Sequence, residues 1–84
     1  MTLQEQFAQA FADSKNLDER PDNMTLLKMY ALFKQASNGD ADGDRPGFTD
    51  LVGRAKWDAW NALKGITQEH AMQQYVDLIG DLKG

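Results

Sequence analysis

Met24-Thr25-Leu26-Leu27-Lys28-Met29-Tyr30-Ala31-Leu32-Phe33-Lys34-Gln35-Ala36-Ser37 runs directly into Asn38-Gly39-Asp40-Ala41-Asp42-Gly43-Asp44-Arg45-Pro46-Gly47-Phe48-Thr49-Asp50, and this stretch decides the fold of the 84-residue chain. Its first part carries Leu26, Leu27, Met29, Tyr30, Leu32, Phe33 and Ala36. That apolar surface is wide enough to touch two partners, which predicts a helix packed on both sides. Its only charges are Lys28 and Lys34. The second part holds three glycines, a proline and four aspartates, which is turn chemistry throughout. A connection of this length suits two helices that lie parallel or non-adjacent.

Upstream, Leu3, Phe7, Ala10 and Phe11 recur at helical spacing, which predicts a first helix from Thr2 that fades through Ser14-Lys15-Asn16. Thr2 and Glu5 have the spacing of a capping box. Asp18-Glu19-Arg20-Pro21 is a polar connection whose proline leaves Asp22 or Asn23 as the next N-cap. Downstream, Ala55, Ala59, Trp60 and Leu63 predict a third helix from Leu51 or Val52 to Lys64, with Gly65 as its stop. Thr67 opens a fourth, with Glu69 in its first turn and a stripe of Met72, Tyr75, Val76, Ile79 and Leu82. Lys83 suits the negative end of that helix. No strand-like alternation or internal repeat competes, so the expected fold is all-α with four helices. Residues 1–84 form one domain, because a chain this short has no room for two cores.

Hydrophobic residues make up 42% and charged residues 26% of the chain, enough to fold without being disordered. The absence of cysteine removes disulfides, thiolate metal sites and a cysteine nucleophile, and suits a reducing cytoplasm. The net charge of −4 has the wrong sign for a general nucleic-acid or anionic-membrane binder. Most of that acidity sits in residues 38–50, where four aspartates face Arg45 alone. Any anionic ligand must therefore be held by local lysines. The N-terminus lacks a basic region and an apolar stretch, and nowhere do about eighteen apolar residues run together. A soluble, non-exported protein without a membrane span is expected.

Asn38, Asp40, Asp42 and Gly43 match early positions of a calcium loop, but Thr49 stands where a bidentate glutamate is needed. The segment is expected to be a solvated turn, with no metal. His70 has no second histidine, no cysteine and no serine elbow to work with, so an exposed first-turn residue is expected. Asp58 and the other acids lack paired-carboxylate spacing. No catalytic residue can be named and no enzyme is expected.

Tyr30, Phe33 and Lys34 lie at i, i+3 and i+4, which puts two rings and an ammonium on one face. A core aromatic pair with a snorkelling lysine would produce that pattern too. Yet residues 23–37 hold Lys28 and Lys34 without an acid, and residues 51–57 hold Arg54 and Lys56 without one. Unbalanced cations beside aromatics suit a phosphate and a flat ring. Trp57 and Trp60 are read as structural wedges between helices.

These segments carry a family likeness: Tyr30 through Asp40, then Arg45-Pro46-Gly47, then Ala55-Lys56-Trp57-Asp58-Ala59-Trp60-Asn61, then Leu63-Lys64-Gly65. The chain resembles the acyl-CoA-binding protein family from Phe7 to about Leu82 without a gap. The resemblance implies an up-down-down-up four-helix bundle, with the long overhand loop joining parallel helices two and three. It implies a medium- to long-chain fatty acyl-CoA as ligand, carried and buffered without catalysis. No cofactor is implied, and the partners would be acyl-CoA-using enzymes met as a monomer. By position it assigns Lys15, Lys34 and Lys56 to the CoA phosphates, and the Tyr30 hydroxyl to a phosphate. Tyr75 would line the site and Phe33 would stack near the adenine. Ala31 and Leu32 fall in the contact segment, and Leu26 and Leu27 lie near the acyl chain.

Two departures bear on the site. Phe33 stands where a tyrosine is commoner, keeping a ring face and losing a hydroxyl. Val52 stands where many members have a lysine, and Arg54 lies on a different face. Asp22 and Met24 depart as well, at a helix start. The competing class is a helical protein-interaction module whose groove takes a partner helix. A small hydrolase is a third, without a nucleophile constellation to support it.

Overall fold

The computed structural model describes residues 1–84. It has four helices, α1 (Leu3–Ser14), α2 (Asn23–Asn38), α3 (Leu51–Asn61) and α4 (Gln68–Leu82), and no strand. Each helix starts on a side chain that accepts a hydrogen bond from the backbone N–H three residues on. Thr2 accepts from Glu5 at 3.1 Å, Asp22 from Thr25 at 2.8 Å, Asp50 from Gly53 at 3.0 Å and Thr67 from His70 at 3.1 Å. Such a cap contributes about 1 kcal/mol. The Thr2 N–H returns a bond to Glu5 Oε1 at 2.9 Å, completing the expected capping box. That bond holds the Glu5 carboxyl below its ordinary range.

α3 stops at Asn61, three residues short of the Lys64 expected from sequence. The Leu63 N–H bonds to the Trp60 carbonyl at 2.9 Å, and Lys64 N–H to that of Asn61 at 3.1 Å. These tighter i to i+3 closures replace the last helical turn. Gly65 then takes φ +93°, a conformation open to glycine at little cost.

The relative directions follow from the contacts. α1 and α4 run the same way, since Phe7 meets Tyr75 at mid-helix and Asp13 pairs with Lys83 at the ends. α2 runs against α4, because Ala36 near its end accepts from Gln68 at the start of α4. α2 and α3 are parallel: Leu26 and Leu27 share a cleft with Leu51 and Val52, while Lys34 lies on Trp60. The order is up-down-down-up. α2 packs on α4 and α3, and α4 packs on α1; α1 and α3 do not meet. Ala10, Leu32, Tyr75 and Ile79 form the core, with Phe7, Met29 and Phe33 around it. Burying a leucine such as Leu32 stabilises by roughly 1.5–3 kcal/mol.

The acidic connection is fastened from several sides. Both tryptophans, expected as wedges between helices, also hold the loop. The Trp60 indole N–H donates to the Gly39 carbonyl at 2.8 Å, and that of Trp57 to Asp42 at 3.1 Å. Arg45 forms a two-pronged bond to Asp58, at 2.8 and 2.7 Å, which keeps the Asp58 carboxyl low. Asp40 Oδ1 accepts from the Gly65 N–H and from Gln35 Nε2, each at 2.9 Å. Both bonds favour its charged form, the backbone one most. Gln35 is fully buried and its Nε2 also reaches the Ile66 carbonyl at 2.7 Å. Its Oε1 has no partner. Turning the amide over would instead strand two acceptors, so this orientation is the cheaper one.

Candidate functional site

Three of the four lysines on α2, α3 and the end of α1 stand on aromatic rings. Lys15 Nζ lies 4.3 Å from the Phe11 ring centroid, Lys34 Nζ 4.8 Å from that of Trp60, and Lys56 Nζ 5.4 Å from that of Tyr30. None of them has a carboxylate partner, since the two ion pairs of the molecule are Arg45–Asp58 and Lys83–Asp13. A cation over a ring at an exposed site is worth about 0.5–1 kcal/mol. A charge-assisted bond to phosphate is stronger. The rings thus position the ammonium groups while leaving them available to an anion.

Between Lys15 and Lys34 lies an aromatic cleft of about 320 Å³, walled by Phe11, Met29, Tyr30, Phe33, Lys34 and Tyr75. Phe33 is its centre: its ring centroid lies 4.7 Å from Phe11, 5.6 Å from Phe7 and 6.1 Å from Tyr75. These spacings are those of tilted and edge-on packing, which fixes the orientation of each ring. Burial pushes the Tyr75 hydroxyl up from its ordinary value, so it remains protonated at neutral pH and able to donate.

A second, larger cleft of about 480 Å³ opens between α2 and α3, lined by Leu26, Leu27, Leu51, Val52 and Ala55, with Lys56, Arg20 and Asn23 at its polar edges. Lys56 belongs to this apolar cleft and Tyr30 to the aromatic one. Their contact joins the two into one track, apolar at one end and aromatic and cationic at the other.

Lys15, Tyr30, Phe33, Lys34, Lys56 and Tyr75 therefore gather around the aromatic end, and Leu26 and Leu27 wall the apolar end. Ala31 and Leu32 are placed differently. Both are buried, and Leu32 packs in the core cluster with Tyr75 and Ile79. One and two residues past Tyr30, they are turned about 100° and 200° around the helix, away from the aromatic cleft, and with Leu27, Lys28, Ala59 and Leu63 they line a further cleft of about 270 Å³. Sequence reasoning passed over Phe11 as a site residue and read it as part of a core stripe. Its i, i+4 spacing to Lys15 is the signal that identifies it. His70 is exposed in the first turn of α4, and no three acidic or histidine side chains gather where they could hold a metal ion. No helix is long and apolar enough to cross a membrane.

The arrangement suits a ligand with phosphates, a flat ring and an apolar tail. A family model described as Acyl CoA binding protein matches residues 4–79. An acyl-CoA-binding protein homolog from Manduca sexta is 49% identical over 83 residues, covering 98% of this chain and 92% of that protein. Enoyl-CoA delta isomerase 2 from Homo sapiens is 46% identical over 79 residues, which are 94% of this chain and 20% of the isomerase. The crystal structure of Oryza sativa Acyl-CoA-Binding Protein 2 superposes with a TM-score of 0.91 at 39% identity, covering 95% of this chain and 87% of that one.

Proposed function

The chain belongs to the acyl-CoA-binding protein family, and from that premise we propose that it carries medium- to long-chain fatty acyl-CoA thioesters without chemical conversion. Acting as a one-domain monomer in the cytoplasm, it buffers the thioester pool and passes it to enzymes that consume it. The observation that carries this reading is the set of three lysines without acidic partners, each set on a ring beside an apolar cleft. Lys15, Lys34 and Lys56 hold the nucleotide phosphates by charge-assisted bonds. The Tyr30 hydroxyl donates to a phosphate oxygen, Phe33 offers the base a ring face, and Tyr75 closes the floor. The acyl chain lies against Leu26, Leu27 and Ala55, where each methylene hidden from water gains up to about 0.8 kcal/mol.

The acidic loop does not defeat this arrangement. Of its four aspartates, Asp40 and Asp50 are engaged by backbone N–H groups, and charges beyond about 8 Å are screened at physiological salt. The human isomerase supports a binding unit separable from catalysis, because the similar segment is 20% of its length.

Isothermal titration calorimetry at physiological salt, with palmitoyl-CoA kept below its micelle concentration, tests the proposal. One-to-one binding of the thioester is expected, with free CoA and palmitate each much weaker. A folded protein that binds none of the three would overturn it. Equal binding of palmitate and palmitoyl-CoA would remove the lysines from the mechanism.

A further inference from the structure

Lys28 is the lysine of α2 that the acyl-CoA track leaves unused. Two residues before Tyr30 and six before Lys34, it is turned about 200° and 240° from them around the helix, so it belongs to a different face. It is exposed, and neither ion pair of the molecule includes it. On that face α3 and α4 both pack on α2 and do not meet each other, which leaves the cleft of about 270 Å³ as a trench between them. Buried Ala31 and Leu32 form its floor, Ala59 and Leu63 its α3 side and Gln74 its α4 side. Leu27 separates the trench from the acyl-CoA track, since it lines both.

The polar groups of the trench are the Lys28 ammonium and the Gln74 amide, and the rest of its lining is apolar. A concave site of this kind takes a small molecule, where a bilayer would need a convex or flat face. Its charge selects the head: one unpaired ammonium suits a single anionic group, held by a charge-assisted bond with the amide beside it. A neutral head would leave that ammonium without a partner, and a cationic head would be repelled. Its volume selects the tail. At about 270 Å³ the trench holds on the order of nine units of the ~30 Å³ that a water occupies, and a methylene is of similar size.

We infer that this trench is a second ligand site, for a medium-chain monocarboxylate of about eight to ten carbons, with its head on Lys28 and Gln74 and its tail over Ala31 and Ala59. Acids of this class are what hydrolysis of a medium-chain thioester releases. The site is built from residues other than those given to the CoA phosphates, so it does not depend on the carrier reading above.

Amide NMR of the full chain, titrated at neutral pH with decanoate below its micelle concentration, tests it with palmitoyl-CoA absent and bound. The amides of Ala31, Ala59 and Gln74 should shift saturably, with an affinity that holds within about twofold when palmitoyl-CoA is bound. Lys28→Glu should weaken decanoate at least about threefold, and Ala59→Leu, which fills the trench, at least about tenfold, each with helical circular dichroism retained. Should Ala59→Leu fail to fold, Lys28→Glu at an exposed position still decides. Decanol and decyltrimethylammonium should bind more weakly than decanoate. An absence of saturable shifts, shifts confined to Leu26, Val52 and Ala55, or displacement of decanoate by palmitoyl-CoA would overturn the site. Equal binding of decanoate by wild type and Lys28→Glu, or of decanol and decanoate by wild type, would overturn it as well. Binding of decanoate by a protein that takes no palmitoyl-CoA would overturn the carrier reading and leave the trench site standing.

Discussion

The Lys56 ammonium stands 5.4 Å from the centre of the Tyr30 ring, one residue from each of two parallel helices, at the point where the apolar and aromatic clefts meet. In the proposed binding mode, a thioester passes the pair where its polar part gives way to its tail. Lys56 is exposed and makes no ion pair, so Lys56→Ala should leave the fold intact and weaken acyl-CoA binding. The expected loss is about 1.5–3 kcal/mol, the range for hydrogen bonds to charged groups. Titration beside a thermal melt checks it, and unchanged affinity would remove Lys56 from the site.

Tyr30→Phe separates ring from hydroxyl. The ring beneath Lys56 remains, so the ammonium keeps its seat, and only the proposed bond to phosphate is lost. Binding should weaken by about 1.5–3 kcal/mol with little change in stability. An affinity equal to wild type would show that the ring alone is needed.

Trp60→Phe addresses the loop. It removes the bond from the indole N–H to the Gly39 carbonyl and part of the surface under Lys34. Unfolding free energy in urea should fall by at least about 1 kcal/mol. A denaturation midpoint identical to wild type would mean that the strap contributes nothing.

Acid should destabilise the protein. Asp40, Asp58, Asp22 and Glu5 all have carboxyls held below their ordinary range, by the Gly65 N–H, by Arg45, by the Thr25 N–H and by Thr2 respectively. Their contribution is complete above the unfolded carboxylate range near pH ~4 and drains away as pH falls through the lower folded values. Thermal melts from pH 6 to pH 2 should show the midpoint dropping below about pH 4.5. Asp40→Asn should flatten that dependence, and a slope unaffected by it would remove Asp40 as a contributor.

Helix starts were legible in the sequence because caps are local: Thr2 with Glu5 and Thr67 before His70 need only residues three apart. The end of α3 was not. Gly65 marks where the chain turns, but its N–H is taken by Asp40 from another segment, a contact that only the fold supplies. The lysines showed as an imbalance of charge, whereas the rings under Lys34 and Lys56 belong to other helices and required the fold. Ala31 and Leu32 stand inside a contiguous motif, yet helical rotation turns them away from the aromatic cleft and onto a different one. Adjacency along the chain does not carry over to a shared face.

Since α3 meets no helix but α2 and is otherwise held by the fastenings of the loop, it forms the natural cooperative unit for sub-global opening. Its detachment would bare one wall of the ligand track while α1, α2 and α4 keep their common core. Amide hydrogens of α3 should therefore exchange at a lower opening free energy than those of α2 and α4. A ligand bridging α2 and α3 adds its binding free energy to that opening, so protection should rise chiefly in α3. Detachment of one short helix would thus open the track along its side, with the rest of the molecule remaining folded.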